Sequence, residues 1–142
     1  MGTLNDAALI ELLRECLKKF NGFAIPHGQF IIELLGLLSR NGQEKKFILR
    51  FADYLSRLQE YGEDAIQGRR SSMEHLNGEQ YLCSMRCNFS ASNVRILFAY
   101  INNKVYLLLA FSEKKGHRTT EYAAFCPEAK QRLQDMLKEE EE

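Results

Sequence analysis

The chain has 142 residues, 45% of them hydrophobic and 27% charged, a composition that suits one globular domain with a core of its own. Its 19 Lys and Arg balance its 19 Asp and Glu, which excludes a molecule that grips nucleic acid by bulk positive charge. No apolar run is long enough to span a bilayer, and Asp6, Glu11 and Glu15 interrupt the N-terminus where a signal peptide needs its apolar core, so the expectation is a cytoplasmic protein with no membrane partner.

Residues 3–20 read as a helix. Thr3 and Asp6 have the spacing of a capping box, and Leu9, Leu12, Leu13, Cys16, Leu17 and Phe20 recur at helical intervals. Lys18 and Lys19 suit its negative end, and Gly22 suits its C-cap. The mixed charge of the polar face points to an amphipathic helix docked on the body. In the connection 21–28, Pro26 drives Ile25 towards an extended conformation, which leaves room for a short strand at 23–25; His27 carries no assigned chemistry. Residues 30–39 are apolar nearly all round and form a helix packed on more than one side, stopped by Asn41-Gly42. A third helix over 43–61 puts Phe47, Phe51, Tyr54, Leu55 and Leu58 on one stripe and closes at Gly62. The two together make an αα-hairpin.

Residues 63–78 are polar and read as a long loop that ends in the turn Asn77-Gly78. In 79–87, Tyr81, Cys83, Met85 and Cys87 alternate with Leu82, Ser84 and Arg86, the period of a strand. After a turn at 88–92 come two runs rich in β-branched and aromatic residues, joined at Asn102-Asn103. An Asn pair tolerates positive φ, so this is a two-residue hairpin. A polar segment with Lys114, Lys115, His117, Arg118 and Tyr122 follows. Pro127 sits where the first residue of a helix belongs, with Ala129, Leu133, Met136 and Leu137 behind it. Residues 139–142 are all Glu and read as a frayed acidic tail. Helices first, then three antiparallel strands and a closing helix, predict an α+β fold in one domain spanning 1–142.

The four cysteines, Cys16, Cys83, Cys87 and Cys126, contain no C-x-x-C pair. On a strand Cys83 and Cys87 lie roughly 13 Å apart, too far for one metal or one disulfide. Free buried thiols in a reducing compartment are the expectation. The three histidines are scattered at 27, 75 and 117, and there is no Gly-rich phosphate loop, H-E-x-x-H or G-x-S-x-G. Neither a metal nor a cofactor is expected.

What remains is polar chemistry around the hairpin exit. Between Arg86 and Arg132 eight Lys or Arg face only three Glu, so the zero net charge hides a basic patch. Arg95 alternates with Val94 and Ile96 and points away from Ile96, Phe98 and Tyr100, and Arg86 on the preceding strand can share its side. A guanidinium fixed on a strand matches two phosphate oxygens with its planar fork. Cleaving RNA without metal needs a base for the 2′-OH, an acid for the leaving 5′-oxygen and cations for the charge on phosphorus. His117 can serve as acid or base near its ordinary pKa, whereas Tyr122 or a lysine needs strong tuning. The plain alternative is that Arg95 pairs with an acidic neighbour and His117 is a surface residue.

From about Phe30 to Leu137 the chain resembles the RelE/HigB superfamily of toxins from type II toxin–antitoxin systems, in a phage-derived HigB-like branch. The residues that carry the likeness are Phe30-Ile31-Ile32-Glu33-Leu34-Leu35, Leu58-Gln59-Glu60-Tyr61-Gly62, Leu76-Asn77-Gly78-Glu79-Gln80-Tyr81 and Met85-Arg86. They continue with Val94-Arg95-Ile96-Leu97-Phe98, Leu108-Leu109-Ala110-Phe111-Ser112-Glu113-Lys114-Lys115, Thr119-Thr120-Glu121-Tyr122 and Pro127-Glu128-Ala129. The resemblance implies a RelE-like antiparallel sheet with the αα-hairpin packed on one face, over 28–138, plus an extra N-terminal helix in 1–22 and a C-terminal helix. It also implies an endoribonuclease that cuts mRNA in the ribosomal A site without a cofactor and is silenced by a cognate antitoxin protein. Catalytic roles then fall on Arg95, Lys114, His117 and Tyr122, and RNA binding on Arg86, Lys115 and Arg118. The family usually opens with a strand, for which only 23–25 is available here. Some members keep a tyrosine beside the final helix, where this chain has Phe125 and Cys126. Two other readings stay open: a non-enzymatic ParE-like inhibitor of a protein such as DNA gyrase, and an inactive phage-derived relative whose first helix covers the site.

Overall fold

Among the residues that the computed structural model describes (5–39, 42–66, 72–76, 78–88, 93–113 and 118–141, with the backbone alone for 118–121), four helices and five strands build an α+β architecture. Their order is α1 (Asp6–Lys19), β1 (Ala24–Pro26), α2 (Gly28–Leu38), α3 (Glu44–Tyr61), β2 (Met73–His75), β3 (Leu82–Asn88), β4 (Asn93–Ile101), β5 (Lys104–Ser112) and α4 (Arg118–Glu141). A single 3-10 turn, Gly62–Ala65, follows α3.

The sheet has the strand order β1-β5-β4-β3-β2. Its centre is the antiparallel set β3, β4 and β5. Asn102 and Asn103 both take positive φ, 52° and 62°, so the two-residue turn forms where the Asn pair predicts it. Two short strands widen the sheet. β1 pairs parallel to β5, with Ala24 opposite Val105 and Pro26 opposite Leu107, which makes the sheet mixed. β2 pairs antiparallel to β3, with Met73 opposite Met85. It lies inside the stretch 63–78, where a loop was expected; three residues are too few to show a period. In β5 the register slips: Leu97 faces Leu109 while Phe98 faces Leu107, so Leu108 is the extra residue of a bulge.

The two faces of the sheet are covered differently. On one, α1, α2 and α3 bury Leu9, Leu13, Phe30, Leu34, Phe47, Phe51 and Leu55 against Cys83, Met85, Cys87, Val94, Ile96 and Phe98. Phe51 joins the two hairpin helices, with ring centroids 5.8 Å from Phe47 and 6.5 Å from Phe30. Each such apolar side chain contributes about 1.5–3 kcal/mol by leaving water. α1 begins two residues later than the Thr3–Asp6 pattern suggests. Asn5 is its N-cap, because its Oδ1 accepts from Ala8 N at 2.8 Å; Thr3 lies outside the described residues. His27, given no role from sequence, caps α2 by accepting from Gln29 N at 3.1 Å.

On the other face α4 covers Leu82, Leu97, Ala99, Tyr106, Leu108, Leu109 and Phe111. This helix corrects two expectations. It starts at Arg118, so Pro127 lies in its interior and not at its first position. An interior proline costs about 3 kcal/mol because it removes a backbone donor and crowds the preceding turn. Packing on both sides offsets this: Tyr122, Cys126, Ala129, Leu133 and Met136 continue one stripe through the proline, and Phe125 stacks on Phe111 at 4.4 Å. The acidic end is helical as far as Glu141, where Glu140 accepts from the Tyr106 hydroxyl at 2.7 and 2.9 Å, and Lys104 Nζ stands 3.9 Å away. Among the described residues no helix is long and apolar enough to cross a membrane.

Candidate functional site

The α4 face of the sheet is divided along its length. Under the middle and end of α4 it is apolar. At the other end, where β3 and β5 finish and β4 begins, it is polar. Alternation makes this unavoidable: Cys83, Met85 and Cys87 turn to the three-helix core, so Ser84, Arg86 and Asn88 turn to α4. The register then sets Arg86 opposite Arg95, and Arg95 opposite Phe111, in one row across three strands. One row on, Glu74 of β2 faces Ser84, and Ser84 faces Leu97.

Two guanidiniums in neighbouring positions repel, and each has a carboxylate beside it. Arg86 Nη2 stands 3.8 Å from Glu74 Oε2. Arg95 is bound more tightly: Nη2 donates to Glu113 Oε1 at 2.9 Å, and Nη1 donates to Asn88 Oδ1 at 2.7 Å and to the Val94 carbonyl at 3.2 Å. Only 5% of the Arg95 side chain and 8% of the Glu113 side chain are exposed. Arg95 Nε and Glu113 Oε2 are buried with no hydrogen-bond partner among the described residues. At the near end of α4, the Tyr122 hydroxyl shares a 2.8 Å hydrogen bond with Ser84 Oγ, and its ring meets Phe111 edge-on at 5.7 Å.

Of the residues singled out from the sequence, Arg86, Arg95 and Tyr122 therefore gather on one face at one end of the sheet. Arg118 is the first residue of α4, with its backbone alone described. Lys114, Lys115 and His117 lie outside the described residues. Glu113 and Tyr122, which bracket that basic segment in the sequence, are both fastened to the face that carries Arg95. The acidic neighbour that sequence left as an alternative partner of Arg95 is Glu113. Asn88, Ser84 and Glu74 were not foreseen at all. For Ser84 and Asn88 the signal was present, because they share the alternation of Arg86; for Glu74 it was absent, since β2 itself was missed.

The other candidate features stand elsewhere. α1 packs on α3, on the face opposite Arg95 and Tyr122, so it does not cover the polar end. A shallow cleft of about 310 Å³ lies between His27, Gly28, Met136 and Glu139, roughly 20 Å along α4 from Tyr122 at 1.5 Å per residue. The cysteines are free and buried. Burial pushes the Cys83 and Cys87 thiols up to about 12, which leaves them protonated and inert near neutrality. Cys83 Sγ lies 3.4 Å from His75 Nδ1, and His75 Nε2 lies 3.3 Å from Glu63 Oε2, so the sheet edge is tied to the turn after α3. Among the described residues no group of three or more His, Cys, Asp and Glu is arranged to hold a metal ion.

Among the described residues the polar end of the sheet thus offers two guanidiniums, Arg86 and Arg95, each with a carboxylate beside it. No family model, no curated protein and no solved structure matches the chain.

Proposed function

We propose that the chain is a toxin of the RelE/HigB kind, a metal-independent endoribonuclease that cuts ribosome-bound mRNA in the cytoplasm and is held silent by a cognate antitoxin protein. One observation carries this reading. Glu113 and Tyr122 bracket the segment holding Lys114, Lys115, His117 and Arg118, and both are tied to the Arg86–Arg95 end of the sheet, at 2.9 Å to Arg95 and at 2.8 Å to Ser84. A phosphodiester lying there meets the cations of two strands, Arg86 and Arg95, and stabilising charge on a pentavalent phosphorus requires such cations. The opening strand usual in the family has a counterpart in Ala24–Pro26, which supports the same reading.

In this scheme Arg86 and the cations of 114–118 bind phosphate, and His117 moves protons between the 2′-oxygen and the leaving 5′-oxygen. Arg95 sits at the base of the site. Tyr122, only 8% exposed and bonded to Ser84, positions the start of α4. The test is purified protein added to translating ribosomes, with mRNA ends mapped by primer extension. Discrete cuts are expected, and Arg86→Ala and Arg95→Ala proteins that retain their fold should abolish or greatly weaken them. Intact message in the presence of folded wild-type protein overturns the reading.

A second reading is favoured by the closure of Arg95 on Glu113: a non-enzymatic, ParE-like inhibitor that binds a protein target such as DNA gyrase. Induction that damages DNA while leaving mRNA unchanged selects it. The reading in which α1 covers the site is disfavoured, since α1 packs on the far face of the sheet.

A further inference from the structure

Arginine and carboxylate commonly meet through two parallel bonds. Arg95 and Glu113 make one. Nη2 donates to Oε1 at 2.9 Å, while Nε on the guanidinium and Oε2 on the carboxylate are both buried and unpartnered among the described residues. Buried polar atoms without partners are rare because each keeps the full cost of its lost hydration. An Nε and an Nη2 on the same edge of a guanidinium are the two donors that a tetrahedral phosphate takes together. The pair is thus an anion site filled by an anion that satisfies it by half.

Glu113 is also built to let go. Its backbone N–H donates to the Asn93 carbonyl at 2.8 Å, so the main chain stays in the ladder while the carboxylate turns about side-chain torsions alone. Arg95 is not free to move in the same way, since Asn88 Oδ1 and the Val94 carbonyl hold Nη1.

We propose that Glu113 is a built-in anion occupying the phosphate-binding fork of Arg95 in the free protein, and that RNA enters by exchanging this carboxylate for one of its backbone phosphates. This rests on the RNA-cleaving reading above and adds to it the state in which the site waits. The resting fork is neutral, so a chain of zero net charge ignores stray polyanions, and the exchange gains the bond to Nε that Glu113 leaves unmade.

Wild-type protein and Glu113→Gln are compared in two ways. The first is binding of a non-cleavable 2′-O-methyl oligoribonucleotide by fluorescence anisotropy across a salt series. Glu113→Gln is expected to bind about tenfold more tightly with an unchanged salt slope, because the exchange sets the same phosphate on Arg95 in both complexes. The second is thermal melting in inorganic phosphate against chloride at matched ionic strength. Glu113→Gln should melt below wild type in chloride and regain several degrees at tens of millimolar phosphate, because an anion that binds only the folded state raises its melting point; wild type should gain none. Adding Arg95→Lys to Glu113→Gln should remove both gains. Glu113→Asp keeps the charge but shortens the reach, and its affinity should fall between the two. Equal or weaker oligonucleotide binding by Glu113→Gln, or by Glu113→Asp if the first does not fold, overturns the exchange while leaving measurable wild-type RNA binding intact. No binding by any variant, with no phosphate-dependent melting shift, overturns both the exchange and the RNA reading beneath it.

Discussion

Arg132 of α4 and Glu33 of α2 are 99 positions apart in the chain and meet through two parallel bonds, Nη1 to Oε1 at 2.9 Å and Nη2 to Oε2 at 2.8 Å. The pair also seals the edge of β5. β1 covers that edge only as far as Leu107; beyond it Ala110 N donates to Glu33 Oε1 at 3.1 Å, and Arg132 Nη1 donates to the carbonyl of Leu108 at 2.8 Å. An edge strand with open donors and acceptors is a template for unwanted pairing, and here one ion pair between helices from the two layers closes it. Glu33 in turn raises the Arg132 pKa, chiefly through the hydrogen bond.

Arg132→Met should therefore cost about 2–3 kcal/mol, since it leaves Glu33 without its charge partner and Leu108 without a donor. A loss of roughly 8 °C in Tm is the expected size for a chain of this length. The double variant with Glu33→Met should lose clearly less than the sum of the single changes, because the two side chains act as one unit. Urea titration of all four proteins measures the coupling, and additive losses would show that the pair does not work as described.

Tyr122→Phe keeps the ring against Phe111 and strands the Ser84 hydroxyl in the sheet. The expected cost is about 1–2 kcal/mol of stability. If Tyr122 positions α4 and moves no proton, RNA cleavage at a temperature where both proteins are folded should fall less than about threefold. A fall of two or more orders of magnitude would give the phenol a direct part in the chemistry.

Alkaline solution should weaken the fold through the thiols. In the unfolded chain Cys83 and Cys87 lose their protons from about pH 9, whereas burial holds them protonated up to about 12 in the native state. Between those values the folded protein binds more protons than the unfolded one, so stability drops as pH rises, by about 1.4 kcal/mol per pH unit for each thiol. Urea midpoints at pH 8 and pH 10.5 measure the slope. Cys83→Ala with Cys87→Ala should flatten it even though the double variant starts from a lower stability.

Trimming α1 tests its place in the molecule. Leu9, Leu13, Cys16 and Phe20 are buried in the core shared with α2 and α3, so Leu13→Ala should cost about 3 kcal/mol. Deletion of residues 1–22 should abolish cooperative unfolding and should not raise RNA cleavage. A truncated protein that melts normally and cleaves faster would mean that α1 restrains the site from a distance.

The parts of the fold with a local signature were legible in the sequence. The apolar stripes of α1 and α3, the alternation of β3 and the Asn102-Asn103 turn each show themselves within a dozen residues. β1 and β2 could not be read securely, because three residues carry no period and their partners lie far along the chain. The start of α4 was hidden by Pro127, whose usual position at a helix opening outweighed the weaker signal of Tyr122 and Phe125 packing on the sheet. For the candidate site, the shared side of Arg86 and Arg95 followed from alternation alone. That Arg95 is closed by Glu113 did not, since it depends on which way β5 faces after its bulge. The Glu33–Arg132 pair joins two helices that no local pattern relates.

The extra leucine in β5 decides that facing. Val105 and Leu107 look towards the three helices, and in an unbroken strand Leu109, Phe111 and the following Glu113 would do the same, with Ala110 looking towards α4. The irregularity at Leu108 inverts the remainder of the strand, so the aromatic ring and the carboxylate emerge on the guanidinium's side. A single residue of slack thus sets the parity on which the charge pairing depends.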